Sequence, residues 1–191
     1  MKKFKLSTSI IIIVVSVAVI VGAFLLISNH LAKNDEDTDI AISSVQNVLL
    51  RNMDNNYPPT PKEVLKYYSD ITQCFYAGGY TEEQFTQLAN RALELYDEEL
   101  RANQDYDVYI DDLKAEIEEY KEKNWTISSY STSSSIDVQE FERDGDEWAQ
   151  LYAFYNVRQD GKVVKVTEIF LMRKDEDGRW KIYGWQQADT K

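Results

Sequence analysis

The sequence predicts an N-terminal transmembrane helix followed by an α+β domain of three or four helices packed on an antiparallel sheet of four to five strands. Three observations carry this reading. An 18-residue apolar run, Ile10–Ile27, lies near the front of the chain. Between residues 40 and 123, apolar side chains recur at spacings of three and four. From Trp125 onward the period falls to two, and Asp144-Gly145, Asp160-Gly161 and Asp177-Gly178 punctuate the segment as tight turns.

The apolar run reads as a membrane anchor. At 1.5 Å per residue it spans about 27 Å, and with Leu6–Ser9 roughly 33 Å, enough for a hydrocarbon core of about 30 Å. A cleaved leader is the rival reading, with Val21-Gly22-Ala23 as its cut site. Phe24-Leu25-Leu26-Ile27 continues the run past that point, which favours an uncleaved span. Lys2, Lys3 and Lys5 precede it, whereas Asp35, Glu36, Asp37 and Asp39 follow, so the N-terminus is expected in the cytoplasm and the rest outside. The chain then divides into a cytoplasmic tail (1–5), an anchor in the lipid bilayer (6–27), an acidic linker (28–39) and an extracytoplasmic domain (40–191).

Charge and composition exclude several functions. The net charge of −12 over 191 residues divides into +3 before the span and −15 after it. So acidic a chain repels phosphates and is not expected to bind nucleic acid. One Cys cannot close an intramolecular disulfide, and with a single His it cannot build a structural zinc site. No metal or cofactor is expected.

The helices follow in order. Ile40–Met53 places Ile42, Val45, Val48, Leu49 and Met53 on one stripe. Thr60, Pro61 and Glu63 then form a helix start, and Gly78-Gly79 ends that helix. Thr81 and Gln84 form a second capping box ahead of one stripe running from Phe85 to Leu100. A last helix, from about Asp107 to Lys123, carries Tyr109, Leu113, Ile117 and Tyr120. From Thr81 to Lys123 there are 14 acidic against 5 basic residues, a net of −9. Such a stretch is ordinarily a solvated face, and alternatively a docking surface for a basic partner.

Five strands follow: Trp125–Ser131, Ile136–Arg143, Glu147–Arg158, Lys162–Lys174 and Trp180–Gln187. Joined by tight turns, they read as a sequential meander with the helices on one face. The two longest carry apolar residues on both faces, which implies a covered second face, a pocket or a partner surface.

The closing segment is the most specific. Phe170-Leu171-Met172-Arg173-Lys174 leads through Asp175–Gly178 into Arg179-Trp180-Lys181-Ile182-Tyr183-Gly184-Trp185. It resembles the terminal hairpin of the nuclear-transport-factor-two-like family, and the order of helices before sheet is similar over about residues 61–187. The resemblance implies a curved, cone-shaped sheet around which the helices pack. It also implies a site inside the cone, where ketosteroid isomerases and scytalone dehydratases of this fold hold acid/base groups. The whole layout is similar to uncharacterised bacterial families with one N-terminal anchor, and to membrane-anchored assembly subunits of type IV secretion machines.

His30, beside the expected membrane, leaves the domain without a histidine, so acid/base chemistry there would need a carboxylate. Glu168 is the best candidate, because it shares a strand face with Val166 and Phe170, where desolvation would raise its pKa. Tyr152, Phe154, Tyr183 and Trp185 could line a pocket with it, against the commoner role of strand aromatics as core or cross-strand pairs. Asn103-x-Asp105-x-Asp107 has Val108 and Lys114 where a calcium loop needs Gly and Glu, and reads as a helix cap. Cys74, between apolar neighbours, reads as a packing residue. The expected function is non-enzymatic: an anchored binding or scaffolding domain with a protein partner in the envelope. The alternatives are a binder of a small apolar ligand in the cone, or an enzyme using Glu168.

Overall fold

The computed structural model describes residues 44–188. The expected tail, anchor and linker of 1–39, and the expected start of the first helix, lie outside the described residues. Among the described residues no helix is long and apolar enough to cross a membrane.

The helices are α1 (44–49), α2 (Pro61–Ala77), α3 (Glu82–Glu94), α4 (Glu98–Ala102) and α5 (Tyr106–Glu122). The strands are β1 (Thr126–Thr132), β2 (Gln139–Arg143), β3 (Asp146–Gln159), β4 (Lys162–Lys174) and β5 (Trp180–Gln187). This is an α+β domain with a curved antiparallel sheet of five strands. The helix starts are those the capping residues specify. Thr60 accepts the Glu63 N–H at 3.2 Å, and Thr81 and Gln84 exchange both bonds of a capping box. Asp105, the middle residue of Asn103-x-Asp105-x-Asp107, accepts the N–H groups of Asp107 and Val108 and so caps α5.

The helix expected to run unbroken from Phe85 to Leu100 is in fact two. α3 stops at Glu94, and Tyr96 forms a parallel bridge with Ile182 of β5. Ile182 N–H donates to Leu95 O and Asp97 N–H to Ile182 O, each at 2.8 Å. The chain leaves the helix to pair with the sheet, and Asp97 then caps α4 by accepting the Glu99 N–H. The first helix likewise ends at 49 rather than at Met53, because Asn52 Oδ1 accepts the N–H groups of Asp54 and Asn55 and holds a turn.

The sheet order is β1-β3-β4-β5, with β2 also on β3. The consecutive strands β2 to β5 form the expected meander, but β1 does not lie beside β2. β4 occupies one edge of β3 from Trp148 to Gln159. β1 pairs with residues 153–158 on the other edge, and β2 with 146–150. The two lie end to end. Between them, Ser133–Val138 detours through a 3₁₀ turn at Ser135–Asp137, so the expected strand Ile136–Arg143 begins only at Gln139. Ser133 fills the gap: its N–H donates to Tyr152 O, and its hydroxyl accepts the Tyr152 N–H, each at 2.9 Å.

Register sorts the side chains. Ala149, Leu151, Ala153, Tyr155 and Val157 face the helices, opposite Met172, Phe170, Glu168 and Val166 of β4, and all are buried. α2 is fixed across this face partly by polar bonds, Ser69 Oγ to Tyr155 Oη at 3.0 Å and Gln73 to the carbonyls of Ile127 and Ser128. On the opposite face Tyr152, Phe154, Ile169 and Leu171 stay half-buried.

A buried carboxylate cavity as candidate functional site

Between the inner face of the sheet and helices α2, α3 and α5 lies a narrow cavity of about 60 Å³. Glu168 of β4 projects into it from the sheet, opposite Ala153 in register. Tyr155 and Trp185 join it from β3 and β5. Tyr68 and Tyr76 of α2, Tyr96 beyond α3, and Tyr109 and Glu116 of α5 complete the polar and aromatic lining. Of the lining residues, Tyr68, Thr72, Leu113, Glu116 and Trp185 are half-exposed.

Glu168 is 3% exposed and has no hydrogen-bond partner among the described residues. Burial, and then the charge of Glu116, push its carboxyl up to about 8. Glu116 accepts the Tyr76 hydroxyl, which holds its pKa down, but burial dominates and raises it. The Tyr120 hydroxyl, near enough to feel the charge of both carboxyls, is buried with no hydrogen-bond partner. Two carboxyls in a common low-dielectric space cannot both ionise easily, so one retains its proton.

An aromatic corner stands beside the carboxyls. Trp185 lies 5.5 Å from Tyr68 and 5.6 Å from Tyr96, centroid to centroid, and stacks on Phe170. Tyr96 meets Tyr109 edge to face at 6.4 Å.

The residues expected to share one pocket are therefore divided. Glu168 and Trp185 line the cavity, whereas Tyr152, Phe154 and Tyr183 do not. Tyr152 and Phe154 alternate with the inward Ala153, so they stack on each other on the opposite face, 6.2 Å apart. Tyr183 is separated from Trp185 by a bulge: Leu171 pairs with Gly184 and Met172 with Ile182, which leaves Tyr183 as the extra residue. Its ring turns to Trp148 at 4.9 Å, and its hydroxyl donates to Glu99. Sequence reasoning missed Glu116 and Tyr76. The signal was present for Glu116, since Tyr109, Leu113, Glu116 and Tyr120 keep helical spacing and place a carboxyl on the buried stripe.

Other candidates fall away. Cys74 is 2% exposed, and burial pushes its thiol up to about 11, which makes it inert at neutral pH. Among the described residues no group of three His, Cys, Asp or Glu is arranged to hold a metal ion.

The sequence profile of one family, described as a domain of unknown function (DUF6715), matches residues 1–185. The chain belongs to that DUF6715 family. No curated protein matches the chain. The DUF6715 match takes in both the apolar run and the cavity residues up to Trp185.

Proposed function

We propose that this DUF6715 protein is a single-pass membrane protein that holds a non-enzymatic binding domain of nuclear-transport-factor-two-like type outside the cytoplasm, and that the Glu168 cavity is its ligand site. One observation carries the site: Glu168 is almost wholly buried, faces open space and has no partner. A ligand that donates to this carboxyl supplies the hydrogen bond that the protein's own groups do not. The size of the cavity narrows the small apolar ligand expected from the sequence to a very small one, and its two carboxyls favour a polar group on it. Roughly 10–15 Å³ of such volume holds one water, so about 60 Å³ takes only a few non-hydrogen atoms. The anchor and its orientation rest on the 18-residue apolar run with lysines before it and acid after it.

The test is a screen of small polar fragments against the full chain in maltoside micelles, read by nuclear magnetic resonance. Fragments are expected to shift the Trp185 indole signal in the wild type and not in Glu168→Leu. If no fragment shifts it, the ligand site is elsewhere. In the same preparation, washing membranes with alkaline carbonate should leave the full chain in the pellet; its release would remove the anchor.

A second reading, docking of an envelope protein, is favoured by the half-exposed Tyr152–Phe154 stack on the opposite sheet face.

A further inference from the structure

We propose that the cavity binds a small primary alkylammonium group, held between the carboxylates of Glu168 and Glu116 with its short carbon stem against Trp185. This deepens the reading of the cavity as the ligand site and rests on it.

Four features select this chemistry. First, the lining contributes two carboxyls and, among the described residues, no Lys, Arg or His. A cation is attracted there, and an anion is repelled. Second, the groups that need partners match the donors of a primary ammonium. Among the described residues Glu168 accepts no hydrogen bond, and Glu116 accepts only that of the Tyr76 hydroxyl. An R–NH₃⁺ group brings three N–H donors, whereas a quaternary ammonium brings none and would leave Glu168 unsatisfied. Third, Tyr68, Tyr96 and Trp185 line the cavity within 5.5–6.1 Å of one another, centroid to centroid, and give the carbon stem an aromatic wall. Fourth, the space admits roughly four atoms the size of a water oxygen, which fits an ammonium with one to three carbons.

The charges also balance. In the empty site Glu168 keeps its proton, because burial and the facing Glu116 both oppose its ionisation. The other titratable groups turned toward it are phenols: Tyr68 and Tyr76 from α2, Tyr96 beyond α3, Tyr109 from α5 and Tyr155 from β3. None of these is charged near neutral pH. An arriving ammonium replaces the proton as the positive partner, so Glu168 ionises and releases one proton to solvent as the cation binds. The amine stays protonated up to about pH 10, so affinity should rise with pH until Glu168 is ionised in the free protein.

The shared chemistry is the R–NH₃⁺ head, whether carried by a free amine or by an amine-headed lipid. The full chain in maltoside micelles is titrated with ethylammonium, tetramethylammonium and ethanol by calorimetry, in two buffers of different ionisation enthalpy at pH 6.5. Ethylammonium should saturate a single site and release close to one proton, and ethanol and tetramethylammonium should bind at least about tenfold more weakly. Glu168→Gln should abolish the proton release and weaken ethylammonium binding about tenfold or more; Glu116→Gln should weaken it while keeping the release. Micelles doped with phosphatidylethanolamine then identify the source. Competition with ethylammonium assigns the site to a lipid head, and its absence to a free amine.

Equal binding of ethanol, or ethylammonium binding unchanged in Glu168→Gln, overturns the proposal. If neutral polar fragments shift the Trp185 signal and amines do not, this inference fails while the cavity remains the ligand site. If neither does, both fail.

Discussion

Glu168 makes the stability of the domain depend on pH in an unusual direction. Its folded-state pKa is near 8, against 4.5 when exposed. Between these values the folded state binds more protons than the unfolded one, so stability falls as pH rises. The full benefit is present below about pH 4.5 and is gone above about pH 8, with a slope of up to roughly 1.4 kcal/mol per pH unit. Glu116, also raised by burial, adds the same sign. Denaturant melts at pH 5.5 and 7.5 should therefore show the wild type weaker at the higher pH, and Glu168→Gln should flatten most of the difference. An unchanged difference in the variant would place the titrating group elsewhere. The burial of Glu168 was legible in the sequence, because Val166 and Phe170 flank it at strand spacing. Glu116 keeps the helical spacing of Tyr109, Leu113 and Tyr120, but that signal is masked, since a glutamate on a helix that carries many exposed acids is ordinarily solvated.

At the scale of elements, the join between α3 and α4 depends on one buried ion pair. Asp97 is 2% exposed and receives Arg173 Nε at 3.0 Å and Nη2 at 2.7 Å, while Nη1 reaches Glu99 at 2.7 Å. The two-pronged geometry and the added Asp97–Glu99 capping bond satisfy the carboxylate that burial would otherwise penalise. Arg173→Ala strips Asp97 of its partner and should cost about 3–5 kcal/mol in chemical denaturation. Arg173→Lys keeps the charge without the fork and should cost less. The sequence did not reveal this join, because Leu95 and Leu100 fit a continuous stripe; the clue was Asp97 followed by two glutamates, a cap signature inside an apparent helix. Turns were read correctly for a local reason. Asp160 and Gly161 adopt φ of 47° and 77°, a two-residue connection that this pair tolerates and few others do. The bulge at Tyr183 carries no such local sign beyond the following Gly184, so two aromatics at strand spacing were assigned to one face when they occupy two.

For the whole molecule, the two faces of the sheet should behave differently. Phe170 is fully buried against Trp185 and Tyr68, and Phe170→Ala should cost about 3–5 kcal/mol. Phe154 lies half-buried on the other side beneath Lys165, and Phe154→Ala should cost clearly less in the same denaturant melts. Equal losses would mean that something covers the outer face. The alternation in β3 and β4 told that both faces were apolar. Which one was inside depended on where the helices packed, and that is a tertiary fact.

The end-to-end arrangement of β1 and β2 has a consequence for behaviour at high concentration. A straight edge strand offers a continuous row of amide and carbonyl groups on which a second chain can add itself. Here that row is broken at Ser133, bent through Ser135–Asp137 and resumed in a short strand bearing Glu140, Glu142 and Arg143. The edge is too interrupted and too charged to template another copy, so the kink guards the domain against strand-to-strand aggregation.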